Sequence, residues 1–135
     1  MSLAAGFASP LRGGTGPTTN DKRVKLWFNA TISGASVTGG TVIADTGPWV
    51  NGSVPNNNVG WQLMANVFKY GAAEANTQYA QGSAILGGVH GGIDAPMFMT
   101  AVESAAIVIA LTGSSFTSGV ANDIIATWFE IDATN

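Results

Sequence analysis

The stretch Val24-Lys25-Leu26-Trp27-Phe28-Asn29-Ala30-Thr31-Ile32-Ser33 decides the fold class. Apolar residues fall on every second position, with Val24, Leu26, Phe28, Ala30 and Ile32 on one face and Lys25, Trp27, Asn29, Thr31 and Ser33 on the other. A period of two is the signature of a strand with one buried face. Outward from it the pattern repeats. Residues 36–45 form a second candidate strand, whose Gly39-Gly40 pair marks either a hairpin turn or a bulge. Residues 59–70 set Val59, Trp61, Leu63, Ala65 and Val67 against Gln62, Met64, Asn66, Phe68 and Tyr70, and two partly apolar faces suit a strand covered on both sides. Further strands are predicted over 78–86, 97–103, 105–112 and 124–131. A short helix over 72–80, or one starting near Asp94 and Pro96, is the alternative reading of the middle.

Between these segments lie turn-forming runs rich in Gly, Pro, Asn and Ser, at 46–58, 87–94 and 114–123. Six to eight strands, with no helix-period segments to cover a parallel sheet, predict an all-β antiparallel sandwich of jelly-roll or immunoglobulin-like type. Residues 1–22 are read as an extended N-terminal arm and residues 23–135 as the body.

Composition narrows the function. The 135 residues suffice for one core, and the absence of cysteine excludes disulfides and thiolate metal sites. Charged residues make up 10% of the chain, against about 25% in ordinary soluble domains, so a surface covered by neighbours is one reading and a Ser/Thr/Asn-rich soluble domain the other. The start has no basic n-region or apolar core of a signal peptide, and the most apolar run, 105–111, is too short to span a bilayer; the expectation is a soluble product made in a cytoplasm. Glycosylation triplets at Asn29 and Asn51 are of a kind that arises by chance in an Asn/Thr-rich chain.

Charge is unevenly spread. Arg12, Lys22, Arg23 and Lys25 are opposed in the first 25 residues by Asp21 alone, giving +3, whereas Lys69 faces seven carboxylates in the remainder, giving −6. Four dispersed cations without interleaved aromatics make a poor nucleic-acid footprint, and an acidic body would repel a polyanion. The arm is therefore expected to dock on an acidic protein surface through those four residues.

A search for catalytic chemistry yields little. His90, the one histidine, lies among glycines with Asp94 as its conceivable orienting carboxylate, but no G-x-S-x-G elbow accompanies it, so no enzyme is predicted. No cofactor is implied, and carboxylates do not follow metal-ligand spacing, although Asp45, Asp94 and Asp123 remain open as a calcium site formed by loop folding. Of four tryptophans, Trp61 is assigned to the core and Trp27 and Trp128 to outward faces as an oligomer interface. Trp49, with Asn51 and the asparagines at 56–58, is the candidate glycan platform.

The Gly/Ser/Thr-rich strand pattern, the lack of cysteine, the extended start MSLAAGFASPLRGGTGPTTN (1–20) and the strand close to the C-terminus, IIATWFEIDATN (124–135), together resemble the capsid decoration (cement) proteins of tailed bacteriophages. The resemblance implies a structural protein on the exterior of a virion. It would bind the major capsid protein and bridge capsomers as a homo-oligomer, a trimer being expected, with no nucleic-acid or membrane partner. The rival reading is a glycan- or host-binding module of a head fibre or tail.

Overall fold

A computed structural model describes residues 11–18, 21–47, 57–72, 75–91, 97–115 and 121–132. Among them are nine strands and no helix: β1 (Leu11–Thr15), β2 (Lys22–Ser33), β3 (Ser36–Asp45), β4 (Gly60–Lys69), β5 (Gln78–Leu86), β6 (Val89–Gly91), β7 (Met97–Met99), β8 (Ile109–Ser115) and β9 (Ile124–Trp128). They form two antiparallel sheets packed as a sandwich. The larger has the order β6-β5-β4-β1-β9, with β7 also paired to β5, and the smaller has the order β3-β2-β8.

The alternation in β2 does what its sequence requires. Val24, Leu26, Phe28 and Ala30 are buried, the first three in one core with Leu11, Trp61, Leu63, Ala65, Val67, Ala80, Ala84 and Leu86 from the larger sheet. Ile32 departs from this pattern and is exposed. Here β2 and β3 leave the core as a hairpin, and the pairing shifts twice, between Phe28 and Thr31 and again between Thr31 and Ile32. At the first shift Asn29 lies in the left-handed region (φ 53°) opposite Gly40 (φ 117°), so one extra residue on β2 is accommodated as a bulge and the hairpin bends. Of the two readings of Gly39-Gly40, the bulge is the one found.

The strand expected over 78–86 is found there as β5, and the alternative helix over 72–80 does not occur among the described residues. Other expectations are corrected. The glycine-rich run 87–94 supplies the short strand β6. The strands expected over 97–103 and 105–112 are found over 97–99 and 109–115; just beyond β7 the backbone is held by side chains, the buried Gln78 donating to the Ala101 carbonyl (2.9 Å) and accepting from its N–H (2.8 Å), and Asn76 Oδ1 accepting from the Glu103 N–H (2.8 Å).

The largest correction concerns the arm. Residues 1–10 lie outside the described residues, but Leu11–Thr15 is an internal strand, hydrogen-bonded to β4 on one side and β9 on the other. The boundary at residue 22 therefore does not hold. Gly13 reveals why the segment is glycine-rich: a Cβ there would lie 2.0 Å from the Ile125 carbonyl oxygen and 2.2 Å from the Trp61 ring. The indole of Trp61 lies against this bare backbone and donates from Nε1 to the Gly14 carbonyl (3.2 Å). Gly13, and Gly16 where a Cβ would lie 2.7 Å from the Asn122 carbonyl oxygen, serve close packing and not reach.

Candidate interaction surfaces

The basic residues assigned to the arm do not act together: Lys22 is buried, Arg12 is exposed on β1, and Arg23 and Lys25 share the outer face of β2. Lys22 is fully buried, and its ammonium lies 3.5 Å from Asp123 Oδ1 and donates to the Thr18 carbonyl. Asp123 also accepts from Thr18 Oγ1 (2.7 and 2.6 Å) and Ser115 Oγ (2.6 Å), while its backbone carbonyl accepts from the Gly16 N–H (2.9 Å). This knot ties the segment after β1 to the starts of β2 and β9 and the end of β8. Lys22 is thus a structural cation, unavailable to a capsid, and Asp123 is its counter-charge instead of a calcium ligand.

Arg23 makes a two-point ion pair with Asp45, Nε to Oδ1 at 2.8 Å and Nη2 to Oδ2 at 2.5 Å. Asp45 also accepts from the Gly47 N–H (2.8 Å). Thus two of the three proposed calcium carboxylates are each held by a different cation, and Asp94 lies outside the described residues. Among the described residues no three His, Cys, Asp or Glu side chains gather at one point. Arg12 is exposed on β1, opposite Trp128 of β9. Lys25 sits over the Trp27 ring, 5.4 Å from its centroid.

Burial works against ionisation of Asp45 and Asp123, but their hydrogen bonds and cations outweigh it: Arg23, Gly47 and Lys25 for the first, and Ser115, Thr18 and Lys22 for the second. Both carboxyls titrate below their usual value. Glu103 is also lowered, chiefly by the Lys69 ammonium, with help from Gln78 and the Thr77 N–H against some desolvation. Because the folded pKa values lie below the unfolded ones, the unfolded chain binds more protons in acid. Chemical-denaturation midpoints are accordingly expected to stay level from pH 8 to about 5, then fall steadily below about pH 4. A midpoint independent of pH down to 3 would contradict these assignments.

Three surfaces remain. The first is a groove of about 310 Å³ on the outer face of the smaller sheet, lined by Arg23, Lys25 and Trp27 of β2, Thr112 and Ser114 of β8, and residues 35–37 of the hairpin tip. At about 3.3 Å per residue a straight β2 would carry that tip more than 30 Å from Arg23, so a shared groove needs the bend at Asn29. Trp27 is partly exposed, and its Nε1 donates to Thr112 Oγ1 (2.8 Å).

The second surface is the outer face of the larger sheet. Register places Phe68 of β4 opposite Tyr79 of β5, and Tyr79 opposite Phe98 of β7. With Tyr70 they form a chain of rings with centroids 6.3, 5.6 and 5.7 Å apart. Phe98 is 70% exposed, and Phe68, Tyr70, Met64 and Ile85 are exposed as well. Residues 59–70 were expected to be covered on both faces, yet only the inner face is covered within this chain. The aromatic row escaped the sequence reading because its members come from three strands. The one signal was Met64, Phe68 and Tyr70 on the supposedly outer positions of β4.

The third surface is β9 and the segment after it. Trp128 (56%), Phe129 (47%) and Ile131 (45%) are exposed, as are Glu130 and Asp132, and Trp128 Nε1 donates to Glu130 Oε2 (3.2 Å). Trp27 and Trp128 thus lie on different sheets, not on one common patch. Trp49 and Asn51 lie outside the described residues, as does the side chain of His90. No helix long and apolar enough to cross a membrane occurs among the described residues. No family model, curated protein sequence or solved structure matches the chain.

Proposed function

We propose that this protein is a non-enzymatic structural subunit of a tailed-phage virion, seated on the outside of the capsid and bridging neighbouring units of the major capsid protein. The observation that carries this reading is the exposed aromatic face built by Phe68, Tyr70, Tyr79 and Phe98. A contiguous apolar face on a chain with 10% charged residues favours association, and aromatic side chains are the usual anchors of protein interfaces. A sheet face of this kind suits a broad protein surface better than an enclosed small molecule. The capsid as its occupant comes from the resemblance of the sequence to decoration proteins.

Bound across capsomers, such a subunit stabilises the shell by linkage, because it binds the assembled lattice and not the separated parts. Phe98→Asp tests the face directly. Its side chain is already exposed, so thermal unfolding is expected to be nearly unchanged, while affinity for shells falls by about 2 kcal/mol, roughly thirtyfold. Co-sedimentation with purified capsids measures this. Undiminished occupancy would remove the aromatic face from the interface, and equal DNA retention on heating by decorated and undecorated capsids would remove the cementing role. Binding of the wild type, but not Phe98→Asp, to soluble glycans would instead favour the glycan-binding reading.

A further inference from the structure

We infer that the groove on the smaller sheet receives the segment Trp128-Phe129-Glu130-Ile131-Asp132 of a second copy of this chain, joining subunits head to tail. This inference stands apart from the capsid reading and uses a different sheet. The groove lining carries two of the five cations of the chain, Arg23 and Lys25, and no carboxylate; Asp45, paired with Arg23, offsets one of them. Its floor offers the partly exposed Trp27 and its wall the hydroxyls of Thr112 and Ser114. The complementary ligand is a short segment mixing carboxylates with aromatic bulk.

The chain presents such a segment elsewhere. Residues 128–132 are all exposed, carry two carboxylates and no cation, and place three large apolar side chains in water. The Trp128–Glu130 hydrogen bond shows that these alternate residues share one side, which brings an acidic, indole-bearing edge together. Asp132, two residues further, falls on the same side of an extended segment. That edge fits the Lys25–Trp27 pair by charge, and Phe129 and Ile131 on the opposite side can lie against Val37 at the bent hairpin tip. The segment follows β9 of the larger sheet, whereas the groove opens on the outer face of the smaller one, and the exposure of all five residues shows that this segment does not fill the groove of its own chain. Groove and segment are different patches, so the contact is heterologous and closes into a ring when the rotation permits.

Sedimentation velocity on the full chain tests the pairing. Wild type is expected to form a closed oligomer at high micromolar concentration, weakening as salt is raised. Lys25→Glu, and separately Glu130→Lys with Asp132→Lys, should each weaken association about tenfold or more through like-charge contact. The fold should be kept, since all three side chains face solvent at least in part; Glu130→Lys with Asp132→Lys should leave the melting of the monomer unchanged, whereas Lys25→Glu, which sets a carboxylate opposite Asp45, should lower it slightly. The triple variant Lys25→Glu/Glu130→Lys/Asp132→Lys restores the charge match and should reassociate. A monomeric wild type, reversals without effect, or a triple variant that stays monomeric would overturn the inference. So would a monomeric wild type that binds polyglutamate, which would assign the groove to a foreign acidic partner. None of these outcomes bears on Phe98 and the capsid.

Discussion

Replacing Asp123 with alanine is expected to cost about 3 kcal/mol or more of folding free energy. The ammonium of Lys22 is fully buried, and Asp123 is 3% exposed. An ion pair out of water gains little over a well-packed apolar pair, but losing one member is expensive because the remaining charge keeps its desolvation penalty. Thr18 and Ser115 lose their carboxylate acceptor in the same step. Equilibrium unfolding in urea provides the measurement. The double variant Lys22→Met/Asp123→Leu should be less damaged than Asp123→Ala alone, because no charge is stranded. If Asp123→Ala lost less than about 1 kcal/mol, the knot would have to be open to water, against the burial described above.

Gly82→Val is expected to be at least as harmful, with a loss of about 3 kcal/mol or more and failure to fold as its upper limit. Gly82 is buried on β5, where the larger sheet meets β3 of the smaller one. A Cβ there would sit 1.7 Å from the Ile43 carbonyl oxygen and 3.2 Å from the Ala44 Cβ. The obstacle is backbone, which cannot rotate out of the way as a side chain can. The two sheets must separate, and the dispersion contacts of the core are lost along the seam. Gly14→Ala is the control: its nearest neighbour, the Val59 carbonyl oxygen, is at an ordinary 3.7 Å, so the change should be tolerated within about 1 kcal/mol. Comparable losses in both variants would mean that glycine matters here through chain entropy and not through space.

Much of the fold was legible because one-sided burial imprints a period of two. Val24 to Ala30 and Trp61 to Val67 alternate in sequence and alternate in burial. What failed was context that no local pattern contains. Leu11–Thr15 has too few apolar residues to look like a strand, and its glycines look like a tether until Trp61 is seen lying on them. Lys22 looks like a surface charge until Asp123, a hundred residues away, is brought to it. The aromatic face was illegible for the same reason: Phe68, Tyr79 and Phe98 are unremarkable singly and become a surface only through the register of β4, β5 and β7. Trp27 was correctly placed on the outer side of β2, but the groove beside it depends on the bend at Asn29, which the alternating pattern does not announce.

The position of β1 also governs when the protein can be completed. This strand precedes both of its neighbours in the chain, β4 by about fifty residues and β9 by more than a hundred. The larger sheet therefore cannot close until residue 128 has cleared the ribosome. Until then the edge of β1 that β9 will cover is unpaired backbone able to template contacts with another nascent chain. Pairings of such long sequence separation also place folding in the millisecond-to-second range typical of β-sandwiches. When the chain is overproduced, that interval is when crowding of unfinished chains does most harm, so slower translation or a lower expression temperature should raise the soluble yield.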